Sequence, residues 1–190
     1  PTEDDPGIYP FRSYENPLSN HFPCSLVLFN EPDPFKSVEH AFFWKMCMDL
    51  NLPKCAEEIK QSKHAGEAKR LSKRVPDTTR YQWESENDRL LENLLYEKGK
   101  QCEPFLQVIT DNRDKVFAEA TNSPRYGTGL NMRATQLTKQ EYWPGMNKLG
   151  AMLTDMASEL DNIMASYEKD TVYGSAVPSP FPTSQEFIQN

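Results

Sequence analysis

The stretch NPLSNHFPCSLVLFNEPDPFKSVEHAFFWKMC, residues 16–47, decides how this chain is read. Its second half sets Glu39 and His40 at the start of a run that is otherwise aromatic and aliphatic. Ser37 is a good N-cap residue and Pro34 punctuates the chain just before it, so a helix is predicted from there to about Leu50. Glu39 and His40 then fall in its first turn. A carboxylate there is favoured by the helix dipole and needs no other role. Yet its i+3, i+4 and i+7 neighbours, Phe42, Phe43 and Met46, are apolar. Glu39 therefore either turns away at the helix start or is buried as a perturbed acid, base or orienter of a hydroxyl. Both readings stand at this point. Lys45, between Trp44 and Met46, is ordinarily a solvated lysine, and otherwise a nucleophile or electrostatic partner. At about 100° per residue it falls some 120° away from the Glu39 face.

Working outward, "YPFRSY" and "SLVLF" are short, aromatic and β-branched, and read as two strands of a small sheet. After the Glu39 helix, short helices are predicted at about 53–62 and 65–75, then a longer one from about Gln82 to Lys100. In that one Trp83, Leu90, Leu91, Leu94, Leu95 and Lys98 recur at helical spacing. Cys102 to Ile109 reads as another short helix, and "KVFAEA" at 115–120 as a buried strand. "TNSPRYGTGLNMRATQ" reads as a loop. Pro144 and Gly145 open the last helix, whose stripe of Met146, Leu149, Met152, Leu153, Met156, Leu160, Ile163 and Met164 is read as core. The fold class expected is α+β: a predominantly helical single domain with a small β-sheet. An acidic lead of residues 1–8 precedes a domain of 9–167, and a Ser/Pro/Thr-rich tail follows at 168–190.

The bulk numbers bound the partners. A chain of 190 residues, 37% hydrophobic and 26% charged, is a soluble globular domain in expectation. Net charge of −7 argues against coating nucleic acid through an overall field. No run approaches a membrane span, and no signal peptide is visible, so an intracellular protein, cytoplasmic or nuclear, is expected. Cys24, Cys47, Cys55 and Cys102 form no CxxC and no ligand cluster with His, and read as unpaired thiols in a reducing compartment. No metal and no cofactor are expected.

Against the acidic background, "KQSKHAGEAKRLSKR" at 60–74 reverses the charge, and Lys69 and Arg70 are candidates for phosphate contact. A solvated helix face explains the same run. "RYGTG" at 125–129 is a tight glycine loop, weak as a phosphate signature. The helix start at "PGMNKLG" offers N–H groups to an anion. GxSxG, HExxH and P-loop patterns are absent.

The order of the pieces is more specific than any one. "PLSNHFPC", "SVEHAFFWK", "AGEAKRLSKRV", "W…LLENLLYEKGKQ", "FAEA…YGTGL" and "PGMNKLGAML" together resemble the NADAR family, over roughly residues 9–165. That family is similar to riboflavin-intermediate N-glycosidases and ADP-ribosyl-guanine glycohydrolases. The resemblance implies a mainly helical domain that cleaves an N-glycosidic bond to a ribose phosphate. By it, Asn20 and Glu39 line the active site with His40 beside them, and Trp83 supplies an aromatic wall. Tyr126, Gly127 and Gly129 stand at the family's WGxG position, and Gly145 and Asn147 at its PGxN helix start. Three departures are visible. Tyr126 replaces a Trp, and Ser123 falls near the slot of a frequent Asp. The family's lysine, seven residues after the Glu, is Met46 here, with Lys45 one place earlier. Either a helical bulge returns Lys45 to the site, where its amine would pass through a Schiff base, or its role is lost or taken elsewhere.

The expectation is an N-glycosidase with Glu39 and Lys45 catalytic, acting on ADP-ribosylated guanine in a nucleoside or nucleic acid and releasing ADP-ribose. Its alternatives are a glycosidase of phosphorylated riboflavin intermediates, or a module that binds ADP-ribose or NAD derivatives without turnover.

Overall fold

The computed structural model describes residues 7–173. Of the expected 1–8 lead, residues 1–6 lie outside that range, as do residues 174–190 of the expected tail. The chain divides into two compact units, one built from Pro1–Ser19 and Pro104–Ala165 and the other from Asn20–Glu103 and Ser166–Asn190. Across the described residues the architecture is α+β and mainly helical, with one two-stranded sheet.

In the first unit, β1 (Ile8–Phe11) pairs in parallel with β2 (Val116–Glu119), with Ile8 opposite Val116 and Phe11 opposite Glu119. Phe11, Phe117 and Ala118 are fully buried, and the Tyr9 ring meets Phe117 edge-on. Pro10 is tolerated because β1 has a neighbour on one side only. The 115–120 strand thus forms as predicted, while the N-terminal strand starts at Ile8 and ends before Arg12.

The second unit is organised around α1 (Val38–Asp49), which is buried from Val38 through Cys47. A helix that is apolar all round must be enclosed. It packs on α2 (Pro53–Gln61), α3 (Ala65–Ser72) and α5 (Asp88–Gln101). Ser37 is its N-cap, accepting the His40 N–H, as predicted.

Several expectations are corrected. "SLVLF" makes a single antiparallel bridge, Leu26 to Phe35, and no strand. Phe29 and Asn30 turn the chain with left-handed φ of 59° and 55°, and Pro32 and Pro34 lack amide donors, so no ladder can extend. The Gln101 side chain takes the place of a neighbouring strand, bonding the Val27 N–H at 2.7 Å and the Val27 carbonyl at 3.1 Å. The long helix expected over 82–100 is two, α4 (Asp77–Glu86) and α5. Asn87 divides them: its Nδ2 donates to the Trp83 carbonyl at 2.7 Å and closes α4.

After α6 (Glu103–Asp111) and β2, the 121–136 segment is not all loop, because Asn131 caps a short α7 (Met132–Leu137) by accepting the Ala134 N–H. The last helix expected from Pro144 starts instead at Lys148 and breaks at Glu159, giving α8 (Lys148–Ser158) and α9 (Leu160–Tyr173). Leu149, Leu153, Met156, Leu160 and Ile163 are buried, whereas Met146 and Met164 are exposed, so the predicted stripe is shorter than drawn. Helix α9 also runs through residues 168–173, assigned above to the tail. Asp170 there pairs with Lys100 at 2.9 Å. Among the described residues no helix is long and apolar enough to cross a membrane.

Candidate active site

The N-terminal turn of α1 gathers ionisable groups from three segments of the second unit. The Glu39 N–H donates to the Asn20 carbonyl at 3.1 Å, which fixes the preceding strap against the helix mouth. From that strap the His21 Nε2 reaches the Glu39 carboxylate at 3.3 Å. Glu39 is buried, 7% exposed. Burial alone would raise its carboxyl pKa. The His21 hydrogen bond and the charges of His21, Lys69 and His40 outweigh it and hold the group below its ordinary value. The predicted choice between a solvated cap and a buried carboxylate is settled for burial. The Asn20 Oδ1 is buried with no hydrogen-bond partner among the described residues. A buried acceptor left open is costly and uncommon, so Asn20 Oδ1 is a free acceptor at the helix mouth.

His40 is one residue from Glu39 and has a different role. Its Nε2 lies 3.1 Å from the Ser62 carbonyl and its Nδ1 2.7 Å from the Ser37 hydroxyl. A neutral ring that donates from Nε2 and accepts at Nδ1 satisfies both contacts. Burial lowers its pKa, with the Lys36 charge acting the same way, and the Ser62 bond opposing. With both nitrogens engaged, His40 ties the cap of α1 to the end of α2. That is a structural role, and its expected place in substrate binding is not supported.

Lys45 does not join Glu39. Helix α1 is uninterrupted from Val38 to Asp49, so no bulge restores the lysine to that face. Lys45 Nζ pairs instead with Asp49, one turn on along the same helix. The other Asp49 oxygen accepts the Trp83 Nε1–H at 3.0 Å. Trp83 is buried with its ring edge-on to Phe42, centroids 5.0 Å apart, and so is a core wall at the far end of α1. Lys69 is exposed on α3 yet acts on Glu39, while Arg70 points out near Glu67 at 3.8 Å. Of the expected phosphate contacts, Lys69 alone is tied to the Glu39 cluster.

The glycine loop belongs to the first unit and is a closed lattice. Amides of the second strand of chain donate to carbonyls of the first: Gly145 to Thr128, Met146 to Pro124, Asn147 to Gly127, Lys148 to Arg125 and Leu149 to Tyr126, all at 2.8–3.2 Å. The N–H groups expected to hold an anion at Gly145 and after it are therefore taken. A side chain at Gly127 would strike Thr121, and one at Gly145 would strike the Gly127 carbonyl. Gly129 needs its left-handed φ of 79°. Asn147 sits at φ 48° and uses its amide on β2, accepting the Glu119 N–H and donating to the Phe117 carbonyl, each at 3.0 Å. It continues the sheet as a strand would, so both ends of the amide that was expected to meet substrate are engaged on β2. Ser123 Oγ accepts the Tyr126 N–H at 3.1 Å, orienting the half-buried Tyr126, whose ring lies 5.8 Å from the Arg125 guanidinium.

Sequence reasoning missed two groups. His21 adjoins Asn20 in the same block, and its polar side chain in an apolar setting was the available signal; its carboxylate contact depends on tertiary structure. Lys98, placed in an apolar stripe, is fully buried with its Nζ 5.8 Å from the Phe22 ring. Desolvation pulls its pKa down to about 8, with Cys24 and Cys102 opposing.

No curated protein matches the chain. The NMR structure of the E. coli protein YbiA superposes with a TM-score of 0.62 at 19% identity, covering 85% of this chain and 89% of that one. At that identity the likeness is one of fold. The family model described as the NADAR domain matches residues 10–161, drawing on both units, and the chain belongs to the NADAR family, whose members are generally glycosidase-like.

Proposed function

We propose that this chain is an N-glycosidase that hydrolyses the bond between ADP-ribose and guanine, in a nucleoside or a nucleic acid. The observation that carries the reading is the buried Glu39 carboxylate, held ionised by His21, next to a strap whose Asn20 Oδ1 has no partner among the described residues. Cleaving a glycosidic bond builds positive charge on the ribose. A fixed carboxylate in a poorly solvated site stabilises that charge most where it develops. Because its pKa is depressed, Glu39 acts as the anion and not as the acid. Water adds through oxygen to the anomeric carbon, the C–N bonding pair returns to the guanine nitrogen, and that nitrogen takes the proton the water gives up. Asn20 Oδ1 accepts from a ribose hydroxyl, and Lys69 meets the diphosphate.

The tie between Lys45 and Asp49 supports this carboxylate route over a lysine adduct. It also favours a second reading, recognition of ADP-ribose without turnover. Incubation with ADP-ribosylated guanosine separates the two, with released ADP-ribose and guanosine read by mass. The proposal expects both products from the wild type and little from Glu39→Gln. Saturable binding with no product over long incubation overturns it in favour of recognition alone.

A further inference from the structure

The hydrolysis proposed above needs a proton moved: the attacking water loses one and the departing guanine nitrogen gains one. Glu39 does not supply it, because its carboxyl is held below the ordinary range and stays ionised. Lys45 is paired with Asp49 at the other end of α1. Imidazole is the side chain that exchanges a proton near neutral pH, and the chain has three. His64 is exposed at the start of α3. His40 is 1% exposed and has its ring nitrogens engaged by Ser37 and Ser62. His21 is the one that touches the carboxylate. Its Nε2 lies 3.3 Å from Glu39 Oε1, and its side chain is 29% exposed where that of Glu39 is 10% exposed. The Asn20 carbonyl next to it accepts the Glu39 N–H at 3.1 Å, so the backbone that carries the ring is fixed to the helix mouth.

We propose that His21 is the general acid of the reaction, donating a proton to the departing guanine nitrogen and recovering one from the attacking water. The inference rests on the glycosidase reading of the same site. The imidazolium keeps its Nε2–H on Glu39 and carries the transferable proton on Nδ1. As the C–N bond breaks, its electron pair goes to the guanine nitrogen, which takes the Nδ1 proton. The water oxygen then bonds to the anomeric carbon, and the proton it gives up returns to Nδ1, so the ring ends as it began. Protonating the leaving nitrogen removes the charge it would otherwise carry away, an effect of about 10²–10⁴-fold. Glu39 acts twice: its charge faces the developing ribose cation, and its Oε1 orients the imidazolium. The titratable groups around the ring are Glu39 and His40 of α1 and Lys69 of α3, with Lys98 of α5 beside Phe22, the next residue of the strap. Of these Glu39 is the anion.

The test compares kcat on ADP-ribosylated guanosine with kcat on p-nitrophenyl ADP-ribose, whose leaving group departs as a stable anion and needs no acid. On the guanosine substrate the wild type is expected to show a basic limb of kcat between about pH 6 and 9, and on the nitrophenyl substrate none. His21→Gln, its fold checked by Tm, is expected to lose about 10²-fold or more in kcat on the guanosine substrate, to lose the limb, and to stay within about threefold of wild type on the nitrophenyl one. Glu39→Gln falls on both. Three outcomes overturn the proposal. His21→Gln falls equally on both substrates, which makes the ring a support for Glu39 and no acid; or the limb persists unchanged in that variant; or wild-type kcat on the guanosine substrate is flat over about pH 6–9, a result that needs no variant. Where the wild type does not accept the nitrophenyl group, the guanosine pH profiles alone decide. A wild type that releases no ADP-ribose from ADP-ribosylated guanosine removes the glycosidase reading and this assignment together, a result distinct from the other three.

Discussion

The two ends of α1 hold their charges in opposite ways. At the N-terminal end Glu39 meets His21 and the Asn20 carbonyl, groups brought from a separate strap, and Asn20 Oδ1 remains open. At the C-terminal end Lys45 meets Asp49 on the same helix, and the second Asp49 oxygen holds Trp83. The first arrangement has a polar atom in reserve for a ligand. In the second, the Lys45 ammonium and both Asp49 oxygens each have a partner. Buried charge alone therefore does not mark a site; buried charge with unused hydrogen-bonding capacity does.

The largest expected effect breaks the first end. Glu39→Gln keeps the shape and removes the anion, and turnover of ADP-ribosylated guanosine should fall about 10²–10³-fold in kcat with KM nearly unchanged. The depressed carboxyl pKa adds a pH signature. Glu39 stays ionised above the ordinary carboxylate range, so the acid limb of kcat/KM should lie below about pH 4.3, to the extent the fold survives there. An acid limb near pH 6 would assign the limb to another group and remove Glu39 as the anion.

Next in size is a stability effect at Lys98. Its folded pKa of about 8 lies below the ordinary lysine value, so the folded state binds the proton less tightly than the unfolded chain. The cost is fully present below about pH 8 and relaxes as pH rises toward 10.4, since over that window the unfolded chain carries the extra proton. Lys98→Met should raise stability at pH 7 by about 2–3 kcal/mol, a gain that shrinks with pH, measured by urea unfolding at pH 7 and 10. A gain independent of pH would mean packing and not charge is responsible.

A smaller loss is expected in the first unit, where the lattice of residues 124–129 and 144–149 leaves no room. Gly127→Ala places a methyl on Thr121 and should cost about 1–3 kcal/mol of stability. This lattice also shows where sequence reading stops. The Ser37 cap, α2 and α3 were legible because caps and apolar spacing are local signals. Asn147 was not, because an Asn before a helix looks the same whether it waits for a ligand or, as here, serves as the missing neighbour of β2. The division at Asn87 and the loss of the 25–29 strand likewise turn on side chains competing for backbone groups, which periodicity does not report. Glu39 was a candidate from its apolar spacing at the helix start, whereas Asn20 was legible only through family resemblance. His21 was not assigned, since nothing in its spacing aims it at a residue eighteen positions on.

The smallest expected effect tests the second end of α1, and is informative for being small. Lys45→Met preserves most of the buried stem and deletes the ammonium. If the carboxylate route holds, kcat changes by less than about threefold, since nothing that develops in the transition state faced that nitrogen. Asp49 is partly exposed and keeps its bond to Trp83, so its charge remains solvated and the fold tolerates the change. A loss comparable to that of Glu39→Gln would mean the opposite: that the pair with Asp49 opens when substrate binds, and that the closed end of α1 is a resting state. Trapping with borohydride then decides the chemistry. A lysine adduct at residue 45 would establish a Schiff base. Its absence, with kcat still lost, would leave Lys45 as a positioning residue acting through the turn of helix it shares with Asp49.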